Sequence, residues 1–90
     1  MSHPPMKLSD IKLEVASYLA KKDAKMNTQG LFQKTVIVQH GDGSHFVFMN
    51  AEAEYKTYGT MILLLVWTEH CGYFYFFITD LERWNILKRA

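Results

Sequence analysis

The sequence predicts an α+β fold in a single small domain: a helix, a four-stranded antiparallel meander and a second helix, with the helices mainly on one face of the sheet. Three observations carry this. Met61 to Ile78 holds two apolar or aromatic runs around the polar break Glu69-His70-Cys71-Gly72, the pattern of a buried hairpin. Asp42-Gly43 stands between two further β-prone runs, a strong hairpin signal because a tight turn needs positive φ there. Helix-start residues open each end of this β region: Ser9-Asp10 before it, and Thr79-Asp80-Leu81-Glu82 after it.

The elements follow in order. Residues 1–7 read as a mobile tail, since Pro4 and Pro5 oppose a helix. The domain proper spans residues 8–90. Ser9 caps a helix from Asp10 to about Lys22, with Leu8, Ile11, Val15, Tyr18 and Leu19 on one stripe. Lys21, Lys22 and Lys25 crowd its expected C-terminal end, where cations suit the helix dipole. Asn27 to Gly30 is loop chemistry. The first strand covers Leu31 to His40 and the second His45 to Asn50, with His40 opposite His45 and Val38 opposite Val47. Ala51 to Glu54 is a turn or a short helical turn. Tyr55 to Tyr58 then leads through a bulge at Gly59 into the third strand.

Three structures compete for Met61 to Ile78. A membrane span would put Glu69 and His70 at its midpoint, at a cost of about 2.5–3.5 kcal/mol for the carboxylate. A long buried helix would hold Gly72 in its middle and a run of Tyr, Phe and Ile beyond it, which are strand formers. The hairpin satisfies both features. Its expected register pairs Glu69 with Tyr73, Trp67 with Tyr75 and Leu65 with Phe77 on one face, and Val66 with Phe76 and Leu64 with Ile78 on the other. A terminal helix from the Thr79 cap to about Lys88 points Leu81, Trp84 and Leu87 inward.

Composition narrows the function classes. The chain has 90 residues, 49% hydrophobic and 21% charged, which fits one folded domain. A net charge of +1 supplies no sequence-wide attraction to nucleic acid or an anionic membrane. The lone Cys71 excludes an internal disulfide and suits a reducing, cytoplasmic setting. The first residues have no apolar run of the kind a signal peptide needs. No cofactor motif is present.

In a meander the first and third turns share one end of the sheet. That end would gather His40, Asp42, His45, Glu69, His70 and Cys71. His40, His45, His70 and Cys71 are candidate zinc ligands by type, without a CxxC or HExxH spacing. Asp42 with Glu54-Tyr55-Lys56 resembles the metal-dependent nucleases of the PD-(D/E)xK type. The resemblance implies Asp42, Glu54 and Lys56 around a divalent metal. Gly41 stands where that family has its proline, and the meander puts Asp42 and Glu54 at opposite ends of a strand, roughly 20 Å apart.

No catalytic set passes both spacing and geometry, so the sequence points to a non-catalytic binding or interaction protein. Large apolar side chains occupy both faces of the hairpin, and two short helices cover one. Leu63, Leu65, Trp67, Tyr75 and Phe77 are the expected interface of a homodimer or higher assembly. A small apolar ligand between sheet and helices is the third function class.

Overall fold

In the computed structural model, which describes residues 7–88, the order is α1 (Leu8–Gln29), β1 (Lys34–His40), β2 (His45–Tyr58), β3 (Met61–Thr68), β4 (Tyr73–Phe77), a 3-10 turn (Ile78–Asp80) and β5 (Leu81–Lys88). Among the described residues, one helix and a five-stranded antiparallel sheet make a small α+β fold. The expected four strands and second helix are corrected to five strands and one helix. The expected tail lies outside the described residues, apart from Lys7.

The terminal helix fails for a local reason. Gln39 pairs with Arg83 but His40 pairs with Leu81, so Glu82 is an extra residue on β5. This bulge turns Leu81 and Trp84 to the same face. Their spacing of three, which reads as helical, is a strand with one residue inserted. Thr79 and Asp80 form only the single 3-10 turn that carries the chain from β4 into β5.

α1 is longer than expected at both ends. Lys7 occupies the N-cap position, Ser9 lies inside the first turn, and the helix continues to Gln29. The last turn therefore holds no basic residue, and Lys21, Lys22 and Lys25 do not serve the helix terminus. Ile11, Val15, Leu19 and Met26 form the buried stripe.

β2 organises the sheet. It runs for 14 residues, through the stretch Ala51–Glu54 and on to Tyr58. The strand order is β4-β3-β2-β1-β5. β1 pairs with the first half of β2, and β3 pairs with the second half from Ala51 onward. Between the halves, one residue of β1, Thr35, opposes two of β2, Met49 and Asn50, and Asn50 takes φ 51°. A bulge of this kind bends its strand and increases the twist. Gly59, at φ 62°, and Thr60 then close a two-residue hairpin between Tyr58 and Met61. Tyr55 to Tyr58 thus ends β2 instead of opening β3.

The bend folds the sheet over itself. Phe74 of β4 lies 4.9 Å from Phe48 in the first half of β2, although these segments do not pair. The inner face holds Val36, Val38, Ala51, Leu64, Val66 and Leu81, flanked by Phe48, Phe76, Ile78, Trp84 and Ile86. Trp84 Nε1–H donates to the Tyr55 hydroxyl across this face at 2.7 Å. The outer face of β3 and β4 packs under α1: Leu63, Leu65 and Trp67 meet Ile11, Val15 and Leu19. β3 is therefore buried on both faces, one against a helix and one against its own sheet. Each such side chain contributes about 1.5–3 kcal/mol.

Candidate functional site

The first turn shows why the His pair does not form. Gly43 takes φ 94°, and the turn closes by the His40 N–H donating to the Ser44 carbonyl and the Gly43 N–H to the His40 carbonyl. This is one residue longer than the expected turn. Gln39, not His40, faces His45, and Val38 faces Phe46 instead of Val47. A one-residue slip reverses the face of every partner. His40 points inward, edge-on to Phe46 and Phe76, while His45 lines the outer face with Ile37, Gln39 and Arg83.

The hairpin at Glu69–Gly72 slips by two residues, which keeps each residue on its expected face. Trp67 pairs with Tyr73, Leu65 with Tyr75, Leu64 with Phe76 and Leu63 with Phe77. Its loop is held by Thr68, whose hydroxyl donates to the Gly72 carbonyl at 2.6 Å and accepts the Cys71 N–H at 2.9 Å.

The two turns do not share a site. The Glu69 N–H donates to the Asn50 carbonyl, midway along β2, whereas the first turn precedes β2 altogether. About five strand residues separate them, on the order of 17 Å. Among the described residues no three His, Cys, Asp or Glu side chains gather as a metal-ligand set. His40, His45, His70 and Cys71 are thus dispersed. Asp42 accepts the Ser44 N–H and hydroxyl, and these bonds hold its carboxyl below the usual range. Glu54 and Lys56 lie nine and eleven residues into β2, on the outer face, so the nuclease-like trio is spread along the strand.

Glu54 and Lys56 belong to a different arrangement, with no sequence signature. The Tyr18 hydroxyl donates to Glu54 Oε1 at 2.7 Å, and Lys22 pairs with the same carboxylate. Lys56 Nζ stands 3.9 Å from the Tyr18 ring centre. Burial alone would raise the Glu54 carboxyl, but the bonds from Lys22 and Tyr18 outweigh it and hold the carboxyl low. Burial and then Glu54 push the Tyr18 hydroxyl up. Trp67 Nε1–H donates to the Leu19 carbonyl at 2.9 Å. This set fastens α1 to the sheet at its β2 side.

The expected interface residues divide. Leu63, Leu65 and Trp67 are fully buried within the one chain, under α1, and are not available to a partner. Tyr75 and Phe77 are half-buried on β4. Hollows of about 320–440 Å³ open on the surface, lined largely by polar and charged side chains such as Lys21, Lys22 and Lys25 beside Tyr18. A niche among Thr60, Met61, Ile62, Ile78 and Thr79 has about 90 Å³, below the roughly 300–1,000 Å³ of small-molecule sites.

What remains open is the free edge of β4. Among the described residues β4 pairs only with β3. The Thr68 N–H donates to the Gly72 carbonyl, so Thr68 and Gly72 form a hydrogen-bonded pair. By alternation, Phe74 and Phe76 aim their backbone groups at β3. Tyr73, Tyr75 and Phe77 aim theirs away, along the free edge. The chain matches no protein-family model, no curated protein and no solved structure.

Proposed function

We propose that this chain is a small non-catalytic interaction protein that works as a homo-oligomer through its β3–β4 hairpin, two copies pairing along β4. One observation carries the reading: β4 is an open edge of five aromatic residues, Tyr73-Phe74-Tyr75-Phe76-Phe77, without charge or proline. Exposed edges invite strand pairing, and proteins normally blunt them with charges. The other edge, β5, has Glu82, Arg83 and Lys88 among its eight residues. β4 has none.

A two-fold axis through Tyr75 fits the free groups. Tyr75 meets its own copy, and Tyr73 meets Phe77 of the partner subunit. All three residues aim their backbone outward, so about six hydrogen bonds form. Tyr75→Pro tests this directly. It removes an outward N–H and no bond to β3, a change that edge strands tolerate. Sedimentation velocity at low micromolar concentration should give a wild-type dimer and a folded Tyr75→Pro monomer. Phe74→Pro should instead destabilise the fold itself by about 3 kcal/mol, because that N–H serves the internal ladder. A folded wild-type monomer refutes the proposal. So does a Tyr75→Pro protein that dimerises as tightly as wild type.

A further inference from the structure

We infer that the β4 dimer has a second layer: α1 of one copy packs antiparallel against α1 of the other, along the flank that carries Lys12, Ala16, Ala20 and Asp23. The inference rests on the strand pairing proposed above and extends it to a surface the strands do not touch.

The flank is set by what holds the helix. Tyr18 and Lys22 reach toward Glu54 on β2. β2 and β4 lie on opposite sides of β3, so the opposite side of α1 looks out over the free edge of β4. At 3.6 residues per turn, that side holds Lys12, Ala16, Ala20 and Asp23, with Leu13 on its upper rim. Ala16 and Ala20 are exposed, and Leu13 is 70% exposed, unusual for leucine on a helix with a covered face.

The spacing across the axis matches helix contact. α1 packs over β3 and β4. Strands lie about 4.8 Å apart, so the dyad runs about 2.4 Å beyond β4. A helix axis centred between β3 and β4 stands about 4.8 Å from it. The two axes are then about 9.6 Å apart, within the 8–10 Å at which helices pack. Small side chains on the facing flank suit that distance.

The level along the axis follows from Trp67. Its ring N–H reaches the Leu19 carbonyl. One helical turn back, about 6 Å, is Val15; two strand residues back, about 6.6 Å, is Leu65. Glu14 and Ser17 near Tyr58 confirm the direction. Leu65 pairs with Tyr75, which lies on the dyad. Ala16, beside Val15, therefore faces Ala16 of the partner subunit. Leu13 then covers the partner subunit's Ala20. Lys12 comes within a turn of the partner subunit's Asp23, a pair of opposite sign. Buried area points the same way. Pairing two five-residue edges covers little surface by itself, and stable interfaces bury about 1,200–2,000 Å². The helix flanks supply the missing part.

Cysteine cross-linking tests this in the full chain, with Cys71→Ser as background. Helix axes 9.6 Å apart put the facing Cα atoms about 5 Å apart, within disulfide reach. Ala16→Cys should give a covalent dimer under mild oxidation, whereas Ala20→Cys, whose two copies lie about 12 Å apart along the helices, should give none. Ser17→Cys, on the other flank, should give none. Leu13→Glu should weaken the dimer at least tenfold by sedimentation while the circular dichroism stays unchanged. A dimer that Tyr75→Pro dissociates, but that Ala16→Cys does not link and Leu13→Glu does not weaken, overturns the helix layer and leaves the strand pairing standing. A wild-type monomer overturns both.

Discussion

Leu65→Ala separates a core role from an interface role. Leu65 is fully buried between α1 and β4 in a single chain. Truncating a buried leucine costs about 2–5 kcal/mol, from lost transfer energy plus the cavity left behind. α1 covers this face as a single layer and can settle toward the sheet, which favours the middle of that range, about 3 kcal/mol. A chain of this length has roughly 5–13 kcal/mol in total. The variant should therefore lose about a quarter to three-fifths of its stability and melt roughly 12–24 °C lower. Urea unfolding followed by tryptophan fluorescence reads the change, since Trp67 lies fully buried against Leu19 and Tyr18. Scans at several protein concentrations separate folding from association. Val47→Ala, at a residue 54% exposed, is the control and should cost under about 0.5 kcal/mol. A Leu65→Ala protein that is nearly as stable as wild type, but changed in its association, would refute the placement of Leu65 beneath α1.

Three further outcomes are expected. Glu54 has its carboxyl held low, so its contribution is present above the unfolded value of 4.5 and is lost as pH falls through the folded value; Glu54→Gln should flatten the acid limb of a stability–pH curve below about pH 5. Tyr18 is shifted up from 10.0, so its contribution is present below that value and fades as pH rises through the folded value; Tyr18→Phe should reduce the loss of stability above about pH 10 in the same titration. Gly59→Ala meets no neighbouring atom within 4 Å but must keep φ 62°, so calorimetry should report a loss of about 1–2 kcal/mol from backbone strain alone.

The legible parts of the fold were those with strong local chemistry. Two turns were found from Asp42-Gly43 and from Glu69 to Gly72, and the buried stripe of α1 from its spacing. The face assignments of β3 and β4 survived a two-residue error because strand parity is unchanged by an even slip. The same kind of error by one residue reversed the partners of His45 and dissolved the His pair. Two features defeated local reading because each is an irregularity in a pattern. The bulge at Glu82 gave Leu81 and Trp84 helical spacing. The bulge near Asn50 let one strand pass through Ala51–Glu54, a stretch of poor strand formers, because β3 pairs with it from Ala51 to Tyr58. The Tyr18–Lys22–Glu54 set spans 36 residues of sequence, and only the tertiary fold brings its members together.

The bend in β2 also decides where a partner can act. In the sequence, two apolar hairpin faces stand against a single covering layer of helices. Bending β2 removes that surplus, because the inner face of β3 and β4 is covered by the first half of β2 itself: Phe74 and Phe76 pack on Phe46 and Phe48. A face-to-face dimer is then unnecessary for burying the hairpin. The edge is different, because backbone groups along β4 are satisfied only by water or by another strand. Covering the faces leaves the edge unchanged. The drive to associate thus passes from side-chain burial to backbone pairing, which is directional and fixes a register. Replacing an aromatic face residue such as Phe76 by lysine would accordingly damage the fold before it touched the assembly. The lesions that reach the assembly alone are those that remove an outward N–H of β4 or alter an exposed side chain of the α1 flank, such as Leu13.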